Sequence, residues 1–231
     1  MEDGIEQQFA AWLRERLGET VGIAVAPLDR ARPLLPKEEA HAAGAVLSRR
    51  IEFSVGRWCA RQALAERGIA PQAIGVGLRG APIWPEGACG AITHSCGLGA
   101  AVAALRTDFT GLGIDVVDLE EADLEEADPE EARSGLASSA SLFATESEIT
   151  AARAALAGSH EEPHALAILF SAKESAIKAM SARFDRYVEF TEVAIQFDGA
   201  AFSARCEAFG TRAEGWWAVR GSCGFTAAVL G

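Results

Sequence analysis

The sequence lacks a C-x-x-C pair, and its cysteines (Cys59, Cys89, Cys96, Cys206 and Cys223) are odd in number and widely spaced. This argues against a zinc ribbon and a disulfide framework. Basic charge is short as well: 21 Lys and Arg face 33 Asp and Glu, for a formal net charge of −12. Nucleic-acid binding needs a basic stripe to neutralise phosphates, so that class is disfavoured. The start, Met1-Glu2-Asp3-Gly4, lacks the basic-then-apolar pattern of a secretory signal, and a cytoplasmic location is the expectation. No long apolar run free of turn residues is present. The longest uncharged stretch, 87–105, is rich in glycine and carries Thr93, His94 and Ser95, which reads as buried strands with a turn.

With 49 % hydrophobic residues in 231, the chain can bury a core of one large or two small domains. Helical spacing marks Ile5–Leu17, Leu34–Leu47 and above all Ser48–Arg67, where Phe53, Trp58, Ala60, Leu64 and Ala65 recur before Gly68. Strands are expected at Val21–Ala26, Ile74–Leu78, Gly90–His94 and Ala100–Leu105, with a turn at 79–82. A strand at Leu112–Val117 opens the second half. An acidic run from Asp118 to Glu131 and the small polar segment Ser134–Ser141 then read as a mobile loop, with partial helix as the alternative. Helices are expected at Thr145–Ala157 and Phe170–Arg183, and strands at Val188–Phe197, Ala200–Ala208, Trp216–Arg220 and Phe225–Leu230. Each half thus has a strand, a long helix and then antiparallel strands. The fold class expected is α+β, with two similar subdomains, 1–108 and 109–231, packed around a central cleft.

Four features could carry chemistry. Asp115 lies within the apolar strand 111–117, where an acid needs a partner or a cation, although a lone Asp also caps turns. Glu174 and Lys178, four apart, share one helix face, as a catalytic pair or an ordinary surface pair would. Arg50, Arg57 and Arg61 line another helix face, with Arg49 starting the stretch: an anion site or a solvated face. His94 ends a strand and fits either a structural or a catalytic role. No Ser/Cys–His–Asp arrangement is legible, and Gly97-Leu98-Gly99 lacks the rest of a dinucleotide fingerprint.

In this order the segments resemble the 4′-phosphopantetheinyl transferase superfamily, most closely its single-chain Sfp/EntD type. The stretch Arg49-x-x-x-Phe53-x-x-Gly56-Arg57-x-x-Ala60, then Trp84-Pro85-Glu86-Gly87, Thr93-His94-Ser95, Gly113-x-Asp115 and Phe170-x-x-Lys173-Glu174-x-x-x-Lys178 carry the likeness. Val117 departs from the pattern, which often has a second acid there; Asp118 is adjacent. The resemblance implies Mg²⁺ on Asp115 and Glu174, with Glu174 and Lys178 catalytic. It implies coenzyme A on Arg49, Arg57, Arg79, Thr93, His94 and Lys178. The 4′-phosphopantetheine arm would pass to a serine of an acyl or peptidyl carrier protein of siderophore, polyketide or fatty-acid synthesis, releasing 3′,5′-ADP. A monomer is expected. The rival reading is a coenzyme A-binding protein of the same fold without transferase activity; a third is an interaction module with no coenzyme A site.

Overall fold

The computed structural model describes residues 4–77, 80–120 and 136–231. Arg79 and most of the acidic run expected as a loop lie outside these described residues. Two antiparallel sheets form the frame. The first is three-stranded, in the order β1 (Gly22–Pro27), β5 (Leu98–Leu105), β4 (Ala88–Ser95). The second is five-stranded, in the order β6 (Gly111–Asp118), β10 (Cys223–Leu230), β9 (Thr211–Arg220), β8 (Ala201–Cys206), β7 (Ala194–Asp198). A short pair, β2 (Gly75–Val76) with β3 (Pro82–Ile83), stands apart.

The halves share one plan. In each, the first strand runs into a long helix that covers the sheet, and a closing hairpin places its last strand beside the first: β1-β5-β4 and β6-β10-β9. The covering helices are α3 (Leu47–Glu66), preceded by α1 (Ile5–Leu17) and α2 (Pro36–Ala42), and α6 (Ala165–Met180), preceded by α4 (Leu136–Phe143) and α5 (Glu146–Leu156). Even the helix–strand contact repeats. A Cβ on Gly22 would sit 2.0 Å from the Ala63 carbonyl oxygen, and one on Gly111 would sit 2.0 Å from that of Ala179. Glycine at the first position of each opening strand therefore lets the helix backbone settle directly on the sheet.

Alternation along the strands builds separate cores on opposite faces. Leu98, Ala100, Val102 and Ala104 of β5 and Leu112, Ile114 and Val116 of β6 join Phe9, Trp12, Leu13 and Phe225 in a core between the halves. The Phe9 and Phe225 rings, centroids 4.4 Å apart, tie α1 to the second sheet. The opposite faces pack under α3, around Val55, Cys59, Ala60 and Leu64, and under α6, around Leu169, Ala172, Ala176 and Phe202. Burying a side chain of this size contributes roughly 1.5–3 kcal/mol, so the core between the halves makes them one body.

Several expectations change. Cys96 and Cys223, 127 positions apart, are paired as a disulfide that bridges the two halves, where the number and spacing of the cysteines indicated no disulfide framework. Ser134–Ser141, read as a loop with partial helix as the alternative, is helix α4 from Leu136 onward. Its packing residues Leu136, Ala140 and Phe143 contact the core under α6, and tertiary burial outweighs the modest helix propensity of its serines. Helix α6 begins at Ala165, five positions before the expected start, and Val188–Phe197 is strand only from Ala194, after a single 3₁₀ turn at Phe190–Glu192. Lys173 is fully buried within α6, paired with Glu148 at 2.8 Å and donating to the Phe190 carbonyl at 3.1 Å. Glu148 also closes the capping box of α5 with Thr145, so one carboxylate joins two helices.

Candidate active site

Gly113 and Asp115 lie on the α6-facing side of β6, two positions apart. A Cβ on Gly113 would stand 1.8 Å from the Ser175 carbonyl oxygen, so the glycine admits α6 close enough for its side chains to reach Asp115. On α6, Ser171, Glu174 and Lys178 follow at i, i+3 and i+7, which is one face of the helix. All three turn toward the strand. Lys178 Nζ lies 2.8 Å from Asp115 Oδ1 and 3.5 Å from Glu174 Oε2, and it donates to the Ile114 carbonyl at 3.2 Å. Ser171 Oγ donates to Asp115 Oδ2 at 2.8 Å, and from the first sheet Thr93 Oγ1 donates to Oδ1 at 2.9 Å.

The charges are held partly out of water. Burial pushes the Glu174 carboxyl above the usual range, with Asp115 adding to the rise and Lys178 opposing it. For Lys178, burial pulls downward, but Asp115 and Glu174 together outweigh it, and the ammonium is held more firmly protonated than usual. The pair of carboxylates offers hard oxygen donors converging on one cationic nitrogen, and such a donor set suits Mg²⁺, which takes one or two carboxylates and fills the rest of its shell from elsewhere. No cluster of three or more His, Cys, Asp or Glu that could hold a metal ion occurs among the described residues. Val117 shares the face of Asp115, but its side chain packs with Leu119 and Ala167 in an apolar cluster. Asp118, by alternation, belongs to the other face.

Beside this cluster a cleft of about 800 Å³ opens between the halves. Arg49, Phe53 and Arg57 of α3, Ile92 and His94 of β4, and Ile177 and Lys178 of α6 line it, and Phe184, Tyr187 and Val188 add a wall after α6. His94 is open to solvent at one edge, yet the ring sits in the concavity. Partial desolvation lowers its pKa, Arg49 and Lys178 lower it further, and Glu52 opposes. Arg49 pairs with Glu52 at 2.7 Å on the surface.

The arginine face of α3 is not the open anion site its spacing allowed. Arg61 is buried and paired with Glu38, which also accepts from the Ile74 amide at 2.9 Å; Arg50 pairs with Glu39 at 2.8 Å. Arg57 is buried too. It donates to the Ile74 carbonyl at 3.1 Å and lies 4.4 Å from the Phe53 ring centroid, so one edge of its guanidinium is already committed. Thr93, expected among the coenzyme A-binding residues, is buried and donates its hydroxyl to Asp115.

Residues 37–104 match the family model for the 4′-phosphopantetheinyl transferase N-terminal domain, and residues 111–219 match the model for the 4′-phosphopantetheinyl transferase superfamily. The chain belongs to the 4′-phosphopantetheinyl transferase superfamily. It is 36 % identical over 182 residues to the 4′-phosphopantetheinyl transferase Svp of Streptomyces mobaraensis, covering 78 % of this chain and 68 % of that protein. It is 39 % identical over 171 residues to the 4′-phosphopantetheinyl transferase Npt of Nocardia iowensis, covering 73 % of this chain and 69 % of that one. To the transferase PptT of Mycobacterium tuberculosis it is 32 % identical over 164 residues, 71 % of this chain and 65 % of that protein. The boundary between the two matched models falls in the turn from β5 to β6, where the two sheets of this phosphopantetheinyl transferase divide. No helix among the described residues is long and apolar enough to cross a membrane.

Sequence reasoning missed Ser171 as a partner of Asp115, Thr226 as the partner of Ser171, and Glu38 as the partner of Arg61. For Ser171 a signal existed, since it precedes Glu174 by three and Lys178 by seven. Thr226 and Glu38 gave none, because each meets its partner only across elements.

Proposed function

We propose that this protein transfers the 4′-phosphopantetheine arm of coenzyme A to a serine of an acyl or peptidyl carrier protein, using Mg²⁺. The observation that carries this reading is the convergence of Asp115 and Glu174 on Lys178 at the edge of a cleft flanked by His94, Arg49 and Arg57. Its relatives, named as 4′-phosphopantetheinyl transferases, support it. Asp115 and Glu174 would hold Mg²⁺, which when bound neutralises diphosphate oxygens and makes the phosphorus a better electrophile.

The chain's own residues supply positioning and charge. His94, Arg49 and the free edge of Arg57 bind coenzyme A phosphates on the N-terminal side of the cleft. The carrier serine oxygen forms a bond to the β-phosphorus as the bond to the bridging diphosphate oxygen breaks, and 3′,5′-ADP leaves. Glu174 takes the serine proton directly or through a water. Lys178, firmly protonated, offsets charge gathering on the leaving phosphate.

The test is mass spectrometry of an apo-carrier protein incubated with the protein, coenzyme A and Mg²⁺. A gain of one phosphopantetheine on the carrier is expected. Tight coenzyme A binding with no gain would instead make this a binding protein of the same fold, the reading that Val117 motivates. Running several carrier types identifies the pathway served.

A further inference from the structure

Asp115 is held from three sides, by Thr93, Lys178 and Ser171, and the deepest of these holds, Ser171, has no place in the transfer chemistry. Thr226 on β10 stands directly across the ladder from Asp115 on β6, and Ser171 on α6 lies over both. Ser171 is fully buried and Thr226 only 1 % exposed, so no bulk water reaches their hydroxyls. Thr226 Oγ1 lies 2.9 Å from the Ser171 carbonyl oxygen and 2.9 Å from Ser171 Oγ.

Counting protons orients the chain of bonds. An ionised carboxylate only accepts, so the bond between Ser171 and Asp115 Oδ2 must use the one Ser171 hydroxyl proton. The Thr226 proton is then left to go to Ser171, at its carbonyl or its Oγ. Asp115 Oδ2 is thereby taken up by Ser171, and Oδ1 is the oxygen that meets Thr93 and Lys178, the latter a cleft-lining residue.

We propose that Ser171, supported by Thr226, is a positioning residue that locks the Asp115 carboxylate so that Oδ1 alone is presented to the cation of the proposed reaction. The lock matters more here than it would with a second strand acid, since Val117 leaves Asp115 as the one strand-borne ligand. Ser171, Glu174 and Lys178 ride on one face of α6, so the helix that supplies the second carboxylate also sets the orientation of the first. Partners behind a metal ligand commonly change metal affinity or activity by about 10–100-fold when removed.

The inference rests on the metal assignment above, and the test separates the two. Mn²⁺ binding to the coenzyme A-loaded protein is titrated by electron paramagnetic resonance, alongside kcat and KM in Mg²⁺, with folding followed by circular dichroism. Ser171→Ala is expected to weaken Mn²⁺ binding about tenfold and to lower kcat while KM for coenzyme A stays within about threefold. Ser171→Thr, which keeps the hydroxyl, should restore most of both. Should Ser171→Ala fail to fold, Thr226→Val, which keeps shape and loses only the supporting hydroxyl, is expected to weaken Mn²⁺ binding, and Thr226→Ser to preserve it. Wild-type Mn²⁺ affinity in the folded Ser171→Ala protein, or in Thr226→Val where that is the variant that folds, overturns the positioning role alone. No Mn²⁺ uptake by the wild-type protein overturns the metal assignment and this inference with it.

Discussion

Asp115 and Lys178, 63 positions apart in sequence, meet at 2.8 Å beneath the cleft, one on the opening strand of the second half and the other on the helix that covers it. The contact exists because Gly113 removes the side chain that would hold α6 away from β6. It sets a cationic nitrogen against the Asp115 carboxylate, and Glu174 faces the same nitrogen from one turn earlier. The acidic pair and the lysine are therefore one electrostatic unit, and changes within it should not add independently.

The carboxylates are the first test. Glu174→Gln keeps shape but removes both charge and basicity, and is expected to lower kcat about 10²–10⁴-fold, the usual range for a general base. Asp115→Ala should be at least as damaging and should also loosen the fold, because the Thr93 and Ser171 hydroxyls and Lys178 lose their shared acceptor. Turnover of phosphopantetheine onto an apo-carrier, with thermal melts alongside, measures both. Near-normal turnover in either variant at saturating Mg²⁺ would remove that residue from the site.

Arg57 is expected to have a double role. Arg57→Ala should weaken coenzyme A binding about 10–100-fold, as loss of a charge-assisted bond of roughly 1.5–3 kcal/mol implies. It should also lower the melting temperature, since the Ile74 and Gly75 carbonyls lose their donor in a buried place. Calorimetry and melting distinguish the two; a lower melting temperature with unchanged affinity would leave Arg57 a structural residue only.

Val117→Glu tests the departure from the family pattern. The Val117 side chain packs against Leu119 and Ala167, and a Cβ on Gly224 would stand 2.8 Å from its Cγ1, so a carboxylate there meets apolar neighbours at close range. Burying an unpaired acid is costly. The expected result is a lower melting temperature with no decrease in the Mg²⁺ concentration for half-maximal activity. A clear decrease would mean that the new carboxylate reaches the metal after all.

The wall after α6 is pH-sensitive in a defined direction. Two hydrogen bonds from Arg186 at 2.6 and 3.0 Å, with one from the Glu189 amide, hold the Glu192 carboxyl down at about 2, from an ordinary value of 4.5. Because the folded value is the lower one, the contribution is fully present above about 4.5 and is lost as pH falls toward 2. The pair is solvent-exposed, so the effect is modest. Glu192→Gln should narrow the stability difference between pH 6 and pH 3, read from denaturant midpoints; an unchanged difference would show the pair contributes nothing.

Sequence alone determined the elements whose patterns are complete in themselves. Ile5–Leu17 is helical over the expected residues, and α3 matches its expectation to within one position at either end, because a long 3.6-residue periodicity is a local property. The strand carrying Asp115 and the helix face shared by Glu174 and Lys178 were legible for the same reason. Tertiary structure decided the rest. The first turn of α6 and the whole of α4 are helical because Ala165, Ala167 and Phe143 find buried surface there, which no local pattern announces. The arginine face of α3 is divided between structure and cleft because α2 brings Glu38 and Glu39 against it. Asp115 is held by Thr93, Ser171, Lys178 and, behind Ser171, Thr226, drawn from two sheets and a helix. Periodicity acts within one element, whereas a hydrogen bond or a buried charge is paired by whatever element the packing brings alongside.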